Sequence, residues 1–331
     1  MQCAVVGAGA WGTALANLLA DNGFETILWA HEEDVATSIN EHHENRRFLK
    51  DLPLSENLRA TNSHRAALCD ADLVIYATPS NYLRQLAANG AAHVRASAIL
   101  AVATKGIERG TLSLMTAIIE DEVPRRSVVG ISGPSFATEV VAGHPTAIVA
   151  ASANLDAAVA VQEALSSSTF RVYTNSDVIG VELGGALKNV MAVATGIVEG
   201  VGLGYNSRAA LITRGLHEMT RLGVALGADA ATFAGLAGVG DLVLTCTGSL
   251  SRNRALGLEI GKGASLQDAL AGKETVAEGV PTTASALELA AKHNVDMPIA
   301  QMVSRILFEG HAARDAVPVL MARELRSEQD L

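Results

Sequence analysis

Lys188 lies in a run of small and apolar residues, Glu182-Leu183-Gly184-Gly185-Ala186-Leu187-Lys188-Asn189-Val190, where an ammonium group is out of place. At 100° per residue it shares a helical face with Val181, Gly184, Gly185, Met191, Ala192 and Thr195. Burial eases release of its proton, which suits a general acid or base exchanging a proton with a carbonyl or hydroxyl. A lysine that snorkels its head group to water is the plain alternative. Glu199 falls on the same face and offers a structural partner. In Gly238-Val239-Gly240-Asp241-Leu242 a carboxylate sits in a glycine-flanked turn, placed either to orient an ammonium or hydroxyl or to cap a helix. Ser251-Arg252-Asn253 opens a predicted helix with hydroxyl, guanidinium and amide together. Such a start suits a phosphate or carboxylate, and it suits plain capping equally well.

A second constellation lies at the other end of the chain. Val5-Val6 leads into Gly7-Ala8-Gly9-Ala10-Trp11-Gly12 and then a helical Thr13-Ala14-Leu15-Ala16. Strand before and helix after are the context that a GxGxxG needs to mean dinucleotide binding. Gly7 permits the tight turn, Gly9 lets the backbone approach a pyrophosphate, and Gly12 lets helix pack on strand. The phosphates would meet unpaired N–H groups and the positive end of the helix dipole. A nicotinamide dinucleotide is thus expected. An acid that accepts from ribose hydroxyls usually ends the second strand. Here that position reads Ala30-His31, with Glu32 and Glu33 following and Arg46-Arg47 downstream, which favours NADP over strict NAD. Arg46 and Arg47 read equally well as a solvated surface pair.

These groups need a scaffold. Gln2–Val6, Glu25–Trp29, Leu73–Ala77, Ile99–Ala103, Val128–Ser132, Ala147–Ala150 and Phe170–Tyr173 read as buried strands alternating with helical segments such as Gly12–Asn22, Tyr82–Asn89, Ser113–Asp121 and Asp156–Ser166. Alternation of this kind predicts a mostly parallel, doubly wound α/β sheet, with ligands collecting beyond the carboxyl ends of its strands. Thr78-Pro79-Ser80, Thr104-Lys105-Gly106 and Ser132-Gly133-Pro134-Ser135-Phe136-Ala137 fall at such ends, although each alone reads as an ordinary turn. From Val178 the segments Val178–Gly200, Ser207–Gly227, Ser251–Gly261, Pro281–Asn294, Pro298–Glu309 and Ala316–Arg326 are helical in length and pattern, without strands between them. The expected organisation is an α/β Rossmann-like domain over 1–178 followed by an all-α domain over 179–331.

Composition narrows the partners. With 25 Lys and Arg against 35 Asp and Glu, the formal charge is −10, which argues against a nucleic-acid binder and leaves room for one basic cleft. Cys3, Cys69 and Cys246 lie far apart and outside any CxxC spacing, so reduced thiols are expected, not a disulfide framework or a zinc site. His42-His43 has no companion metal ligands, and Gly257–Gly263 lacks the spacing of a P-loop. The N-terminal residues lack the pattern of a signal peptide, and Thr146–Leu165 is interrupted by Asn154, Asp156 and Glu163, so a cytoplasmic protein without an integral membrane segment is expected.

Taken together, these motifs resemble the bacterial NAD(P)-dependent glycerol-3-phosphate dehydrogenase family. The likeness runs nearly end to end, through GAGAWGTALA at 7–16, ATKGIE at 103–108, ISGPSFATEV at 131–140, ELGGALKNV at 182–190, ALITRGL at 210–216, GVGDLVLTC at 238–246, SRNR at 251–254 and VAEG at 276–279. The resemblance implies a helical second domain of the 6-phosphogluconate dehydrogenase type. It also implies reversible reduction of dihydroxyacetone phosphate to sn-glycerol 3-phosphate with NADPH or NADH, supplying phospholipid synthesis. Carried over by motif, Ala10, Trp11, His31, Lys105, Ala137, Arg252, Val276 and Glu278 would contact the dinucleotide along with Gly7, Gly9 and Gly12. Lys105, Gly133, Ser135, Lys188, Asp241, Ser251, Arg252 and Asn253 would line the substrate site, with Lys188, Lys105 and Asp241 catalytic and Lys188 exchanging the proton. The family often has Ser where this chain has Ala10, so that hydroxyl is missing here. Other reductases of the same two-domain plan, and a silent dinucleotide sensor, are the rival readings. Many Ala and Gly positions in the helices are compatible with a homodimer.

Overall fold

A computed structural model describes residues 1–272, 277–322 and 327. The chain divides into two compact units, Met1–Lys105 with Ser113–Val178, and Gly106–Leu112 with Ile179–Leu331. The short segment Gly106–Leu112, expected in the first domain, groups with the second.

The first unit is built on β1 (Gln2–Val6), β2 (Glu25–Trp29), β3 (Glu44–Asn45), β4 (Leu49–Pro53), β5 (Leu58–Thr61), β6 (Leu73–Tyr76), β7 (Ile99–Val102), β8 (Ser127–Ser132), β9 (Thr146–Ala151) and β10 (Phe170–Asn175). Eight of them form one sheet in the order β10-β9-β8-β7-β6-β1-β2-β5, and β3 pairs with β4 in a separate antiparallel hairpin. From β5 to β8 all neighbours are parallel. Numbered along the chain, those six strands run 3-2-1-4-5-6, the order of a dinucleotide-binding sheet. The sheet then reverses, because β9 runs antiparallel to β8 and β10 follows β9 in parallel. Both sheet faces are covered, which is why β1 and β6 are almost continuous apolar runs: Cys3, Val5, Leu73 and Ile75 enter one core cluster, and Ala4, Val6, Val74 and Tyr76 the other.

From residue 179 onward the described residues contain helices and turns and no strand. The principal helices are Val178–Gly200, Tyr205–Ala225, Asp241–Thr247, Arg252–Gly261, Gly279–Lys292 and Pro298–Phe308. A shorter helix, Ala316–Met321, opens the last predicted segment, and residues 323–326 fall outside the described residues. Val178–Gly200 is long and apolar enough to cross a membrane, with a mean hydropathy of 1.3, yet 83% of that window is buried within the protein. Every residue from Gly180 to Val198 is buried, so its Lys188 is not on one polar stripe of an amphipathic helix but inside the protein. Ala230–Thr247 also passes by length and composition, but it is broken into Ala230–Phe233, a π-helical turn over Leu236–Gly240, and Asp241–Thr247.

Candidate active site

In the first unit the glycine-rich turn joins β1 to the helix Ala10–Asp21. Gly7 takes φ +113°, a conformation open to glycine and costly for other residues. At Gly12 a Cβ would overlap the Gly7 carbonyl, so only glycine lets the helix start this close to the strand. Gly9 differs: its backbone is extended, and a Cβ there would meet nothing within 4 Å. The turn therefore offers open space at the one glycine expected to face a pyrophosphate. Ala10 and Trp11, both half-buried, form the first helical turn, and His31 is exposed just past the end of β2.

Two other strand ends carry expected residues. Lys105, after β7, donates from Nζ to the Gly133 carbonyl at 3.3 Å, and Ser135 Oγ donates to the same carbonyl at 3.0 Å. Gly133, at φ +139°, thus draws both side chains to the carboxyl end of β8. Ala137 opens the short helix Ala137–Val141. Arg46 and Arg47 separate: Arg46 is exposed and tied to Glu44 at 2.8 Å, whereas Arg47 lies 3.9 Å from Glu32 with its guanidinium 5.3 Å from the Phe48 ring centroid.

The second unit brings Lys188, Asp241 and Thr245 together. Lys188 is 8% exposed and Asp241 1%, and Lys188 Nζ donates to Asp241 Oδ1 at 2.5 Å and to Thr245 Oγ1 at 2.9 Å. Asp241 is not an N-cap, since Gly240 occupies that position; it is the first residue of its helix, and Thr245 follows one turn later on the same face. Gly184 explains how the pair meets. A Cβ there would overlap the Ala237 carbonyl, so glycine lets the Leu236–Gly240 turn rest on the Val178–Gly200 backbone, one turn before Lys188. Glu199 is not the partner of Lys188; it binds Arg254 at 2.7 Å and Arg208 at 3.5 Å. Burial pushes the neighbouring Cys246 thiol up to about 12.

The Ser251-Arg252-Asn253 trio divides by role. Ser251 caps the helix, its Oγ accepting from Arg254 N–H at 3.2 Å. Asn253 is buried, donating to Asn189 Oδ1 at 2.9 Å and accepting from Gly279 N–H at 2.9 Å. Arg252 stays exposed at the helix start, and Glu278 is half-buried beside the start of the next helix. Val276 lies outside the described residues. Thr245 and Asn189 are site residues that sequence reasoning missed. The spacing of four between Asp241 and Thr245 could have revealed the first; nothing but adjacency to Lys188 marks the second.

A dinucleotide-type sheet whose glycine turn opens onto free space fits the class of dinucleotide-dependent enzymes, and the buried lysine–aspartate pair of the helical unit fits proton exchange. Residues 2–158 match the model for the N-terminus of NAD-dependent glycerol-3-phosphate dehydrogenase, and residues 177–318 match the model for its C-terminus. The chain is 51% identical over 332 residues to the glycerol-3-phosphate dehydrogenase (NAD(P)+) of Trichlorobacter lovleyi, covering 99% of this chain and 100% of that one. It is 49% identical over 330 residues to the enzyme of the same name from Geobacter sp. strain M21, covering 99% and 98%. A crystal structure of glycerol-3-phosphate dehydrogenase from Coxiella burnetii superposes with a TM-score of 0.93 at 41% identity, covering 97% of this chain and 99% of that one. This chain belongs to the NAD(P)-dependent glycerol-3-phosphate dehydrogenase family.

Proposed function

We propose that this chain catalyses the reversible reduction of dihydroxyacetone phosphate to sn-glycerol 3-phosphate with NADPH or NADH, and that Lys188 is the proton donor and acceptor. The observation that carries the assignment is the buried Lys188–Asp241–Thr245 cluster in a chain of this family. The first unit fits a dinucleotide on an observation of its own: Gly9 opens onto free space at the start of a helix. Gly7, Gly9, Ala10, Trp11 and Gly12 would hold the pyrophosphate through backbone N–H groups, with His31 and Ala137 contributing at neighbouring strand ends. Arg252, Val276 and Glu278 would complete the cofactor contacts. The nicotinamide, when bound, supplies or accepts the hydride.

The chain's own groups handle charge and protons. As the carbonyl oxygen gains negative charge, Lys188 gives it a proton, and in the reverse direction Lys188 takes the hydroxyl proton. Asp241 and Thr245 fix the position of Nζ, so its proton is aimed before the substrate arrives. Lys105, held at the Gly133 carbonyl with Ser135, adds positive charge for the developing alkoxide. Arg252, exposed at a helix start, grips the substrate phosphate, while Ser251 and Asn253 hold that helix start in shape. We place the reaction in the cytoplasm, where its product is the backbone of glycerophospholipids, and expect a homodimer. The decisive experiment is NADPH oxidation with dihydroxyacetone phosphate by wild type and Lys188→Ala. Loss of the proton donor lowers the rate by roughly 10²–10⁴. Wild-type turnover in a folded Lys188→Ala variant removes the lysine from this role, and no wild-type activity on this substrate removes the assignment.

A further inference from the structure

We infer that Asn45 is a positioning residue for the dinucleotide, acting through the Ala8–Gly9 peptide of the glycine-rich turn; the inference rests on that turn being the cofactor site. Asn45 lies in the β3–β4 hairpin, far from the turn in sequence, yet it is fully buried against it. Its Nδ2 donates to the Ala8 carbonyl at 2.8 Å and to Thr13 Oγ1 at 2.8 Å, and Thr13 Oγ1 in turn donates to the Ala8 carbonyl at 3.1 Å. Asn45 Oδ1 accepts from Phe48 N–H at 3.0 Å, so the amide is used at both ends and its orientation is fixed. Rotating it would set oxygen against the Ala8 oxygen. The hairpin is fastened again further along, where Asn17 Oδ1 on the helix after the turn accepts from Ser55 N–H at 2.7 Å.

Two donors on one carbonyl are more than backbone satisfaction requires, since one bond suffices to avoid a buried unpaired group. What they add is direction. A trans peptide is planar, so holding the Ala8 carbonyl on one side sends the Gly9 N–H out on the other. Gly9 is the residue whose Cα faces open space. Asn45 and Thr13 therefore set in advance the aim of a backbone donor at the expected pyrophosphate, the kind of preorganisation that raises affinity without touching the ligand. Neither side chain needs to reach the cofactor.

The test is NADPH affinity of the purified chain, titrated without substrate, together with steady-state kinetics. Asn45→Asp keeps the size of the side chain and the bond from Phe48 N–H, and replaces the donors to Ala8 with an acceptor. The expected result is a Kd for NADPH raised by roughly tenfold or more, with kcat at saturating cofactor and KM for dihydroxyacetone phosphate within about twofold of wild type. Thr13→Val, isosteric and without the hydroxyl, should shift Kd the same way by roughly threefold, and it decides the matter on its own if Asn45→Asp does not fold. An unchanged Kd in a folded variant, or a fall in kcat with Kd unchanged, overturns the inference. Gly9→Ala separates this from failure of the underlying assignment. If Gly9→Ala leaves Kd unchanged, the turn is not the cofactor site; if it weakens binding while Asn45→Asp and Thr13→Val do not, only the role of Asn45 and Thr13 fails.

Discussion

Lys188 and Asp241 allow the cost of a buried ion pair to be separated from its use. With Lys188 8% exposed, Asp241 1%, and 2.5 Å between Nζ and Oδ1, both charges are largely withdrawn from water. Lys188→Met leaves a buried carboxylate without its lysine, still accepting from the Thr245 hydroxyl at 3.3 Å, and Asp241→Asn leaves a buried ammonium facing a neutral amide. Breaking one side of such a pair costs about 3–5 kcal/mol. At about 2–4 °C per kcal/mol for a unit of this size, each single variant should lose roughly 6–20 °C in Tm. The double variant Lys188→Met/Asp241→Asn buries no unpaired charge, and replacing a buried pair by neutral groups of similar volume is often neutral or stabilising by about 1–4 kcal/mol. Its Tm should therefore return to the wild-type value or exceed it, while NADPH oxidation with dihydroxyacetone phosphate stays abolished. Thermal unfolding followed by circular dichroism, with the coupled activity assay, gives both readouts. A double variant as unstable as the two singles added together would refute the electrostatic reasoning. Recovery of activity along with stability would refute the catalytic one.

Three further outcomes are expected. Gly257→Ala should destabilise by about 1–3 kcal/mol in thermal unfolding despite alanine's better helix propensity, because its Cβ would overlap the Val193 carbonyl where the helices Val178–Gly200 and Arg252–Gly261 cross; a higher Tm would show that the helices can part. Glu218 is buried and accepts from Ile299 N–H at 2.8 Å and Ala300 N–H at 3.3 Å, yet desolvation raises its carboxyl from 4.5 to about 7, outweighing those two bonds. The native state then binds the extra proton, so this group's stabilising contribution is full below about pH 4.5 and is lost as pH rises through about 7. Relative to wild type, Glu218→Gln should thus gain on the order of 3 kcal/mol between pH 4 and pH 8 in urea unfolding, and parallel pH profiles would contradict the assignment. Arg47→Ala should lower kcat/KM for NADPH by roughly tenfold while leaving that for NADH within about twofold, the loss of one charge-assisted contact to a 2′-phosphate; equal losses for both cofactors would remove Arg47 from cofactor choice.

Much of the scaffold was legible because its strands are buried on both faces and so read as unbroken apolar runs. The strand Leu58–Thr61 was not, since it is an edge strand bonded on one side to β2 and carries Arg59 in its middle. The β3–β4 hairpin escaped for the same kind of reason: Lys50, Asp51 and Pro53 give it the composition of a loop, and its fold comes from Asn45 reaching the turn. At the site, Lys188 announced itself as a charge among small residues. Its correct partner did not follow from helical periodicity, which pointed to Glu199. Asp241 reaches it because Gly184 admits the Ala237 backbone, a tertiary contact that no local pattern encodes. Ser251-Arg252-Asn253 read as an anion site or as a helix cap; the structure gives Ser251 the capping role, and the bridge from Asn253 to Asn189 and Gly279 became visible only with those partners in place.

The burial of the Val178–Gly200 helix from Gly180 to Val198 also has a consequence for how the chain is made. Asp241 follows Lys188 by 53 residues. At a translation rate of about 5–20 residues per second, the lysine waits roughly 3–10 s for its counter-charge to be synthesised. During that interval the nascent chain carries a helix of membrane-like hydropathy whose protein cover does not yet exist. A charge at mid-helix raises the cost of insertion into a bilayer by about 2.5–3.5 kcal/mol, so Lys188 disfavours membrane entry of this helix while Asp241 is still to be made. The side chain that we propose exchanges the proton in the folded protein thus weighs, during synthesis, against insertion of this segment into a bilayer.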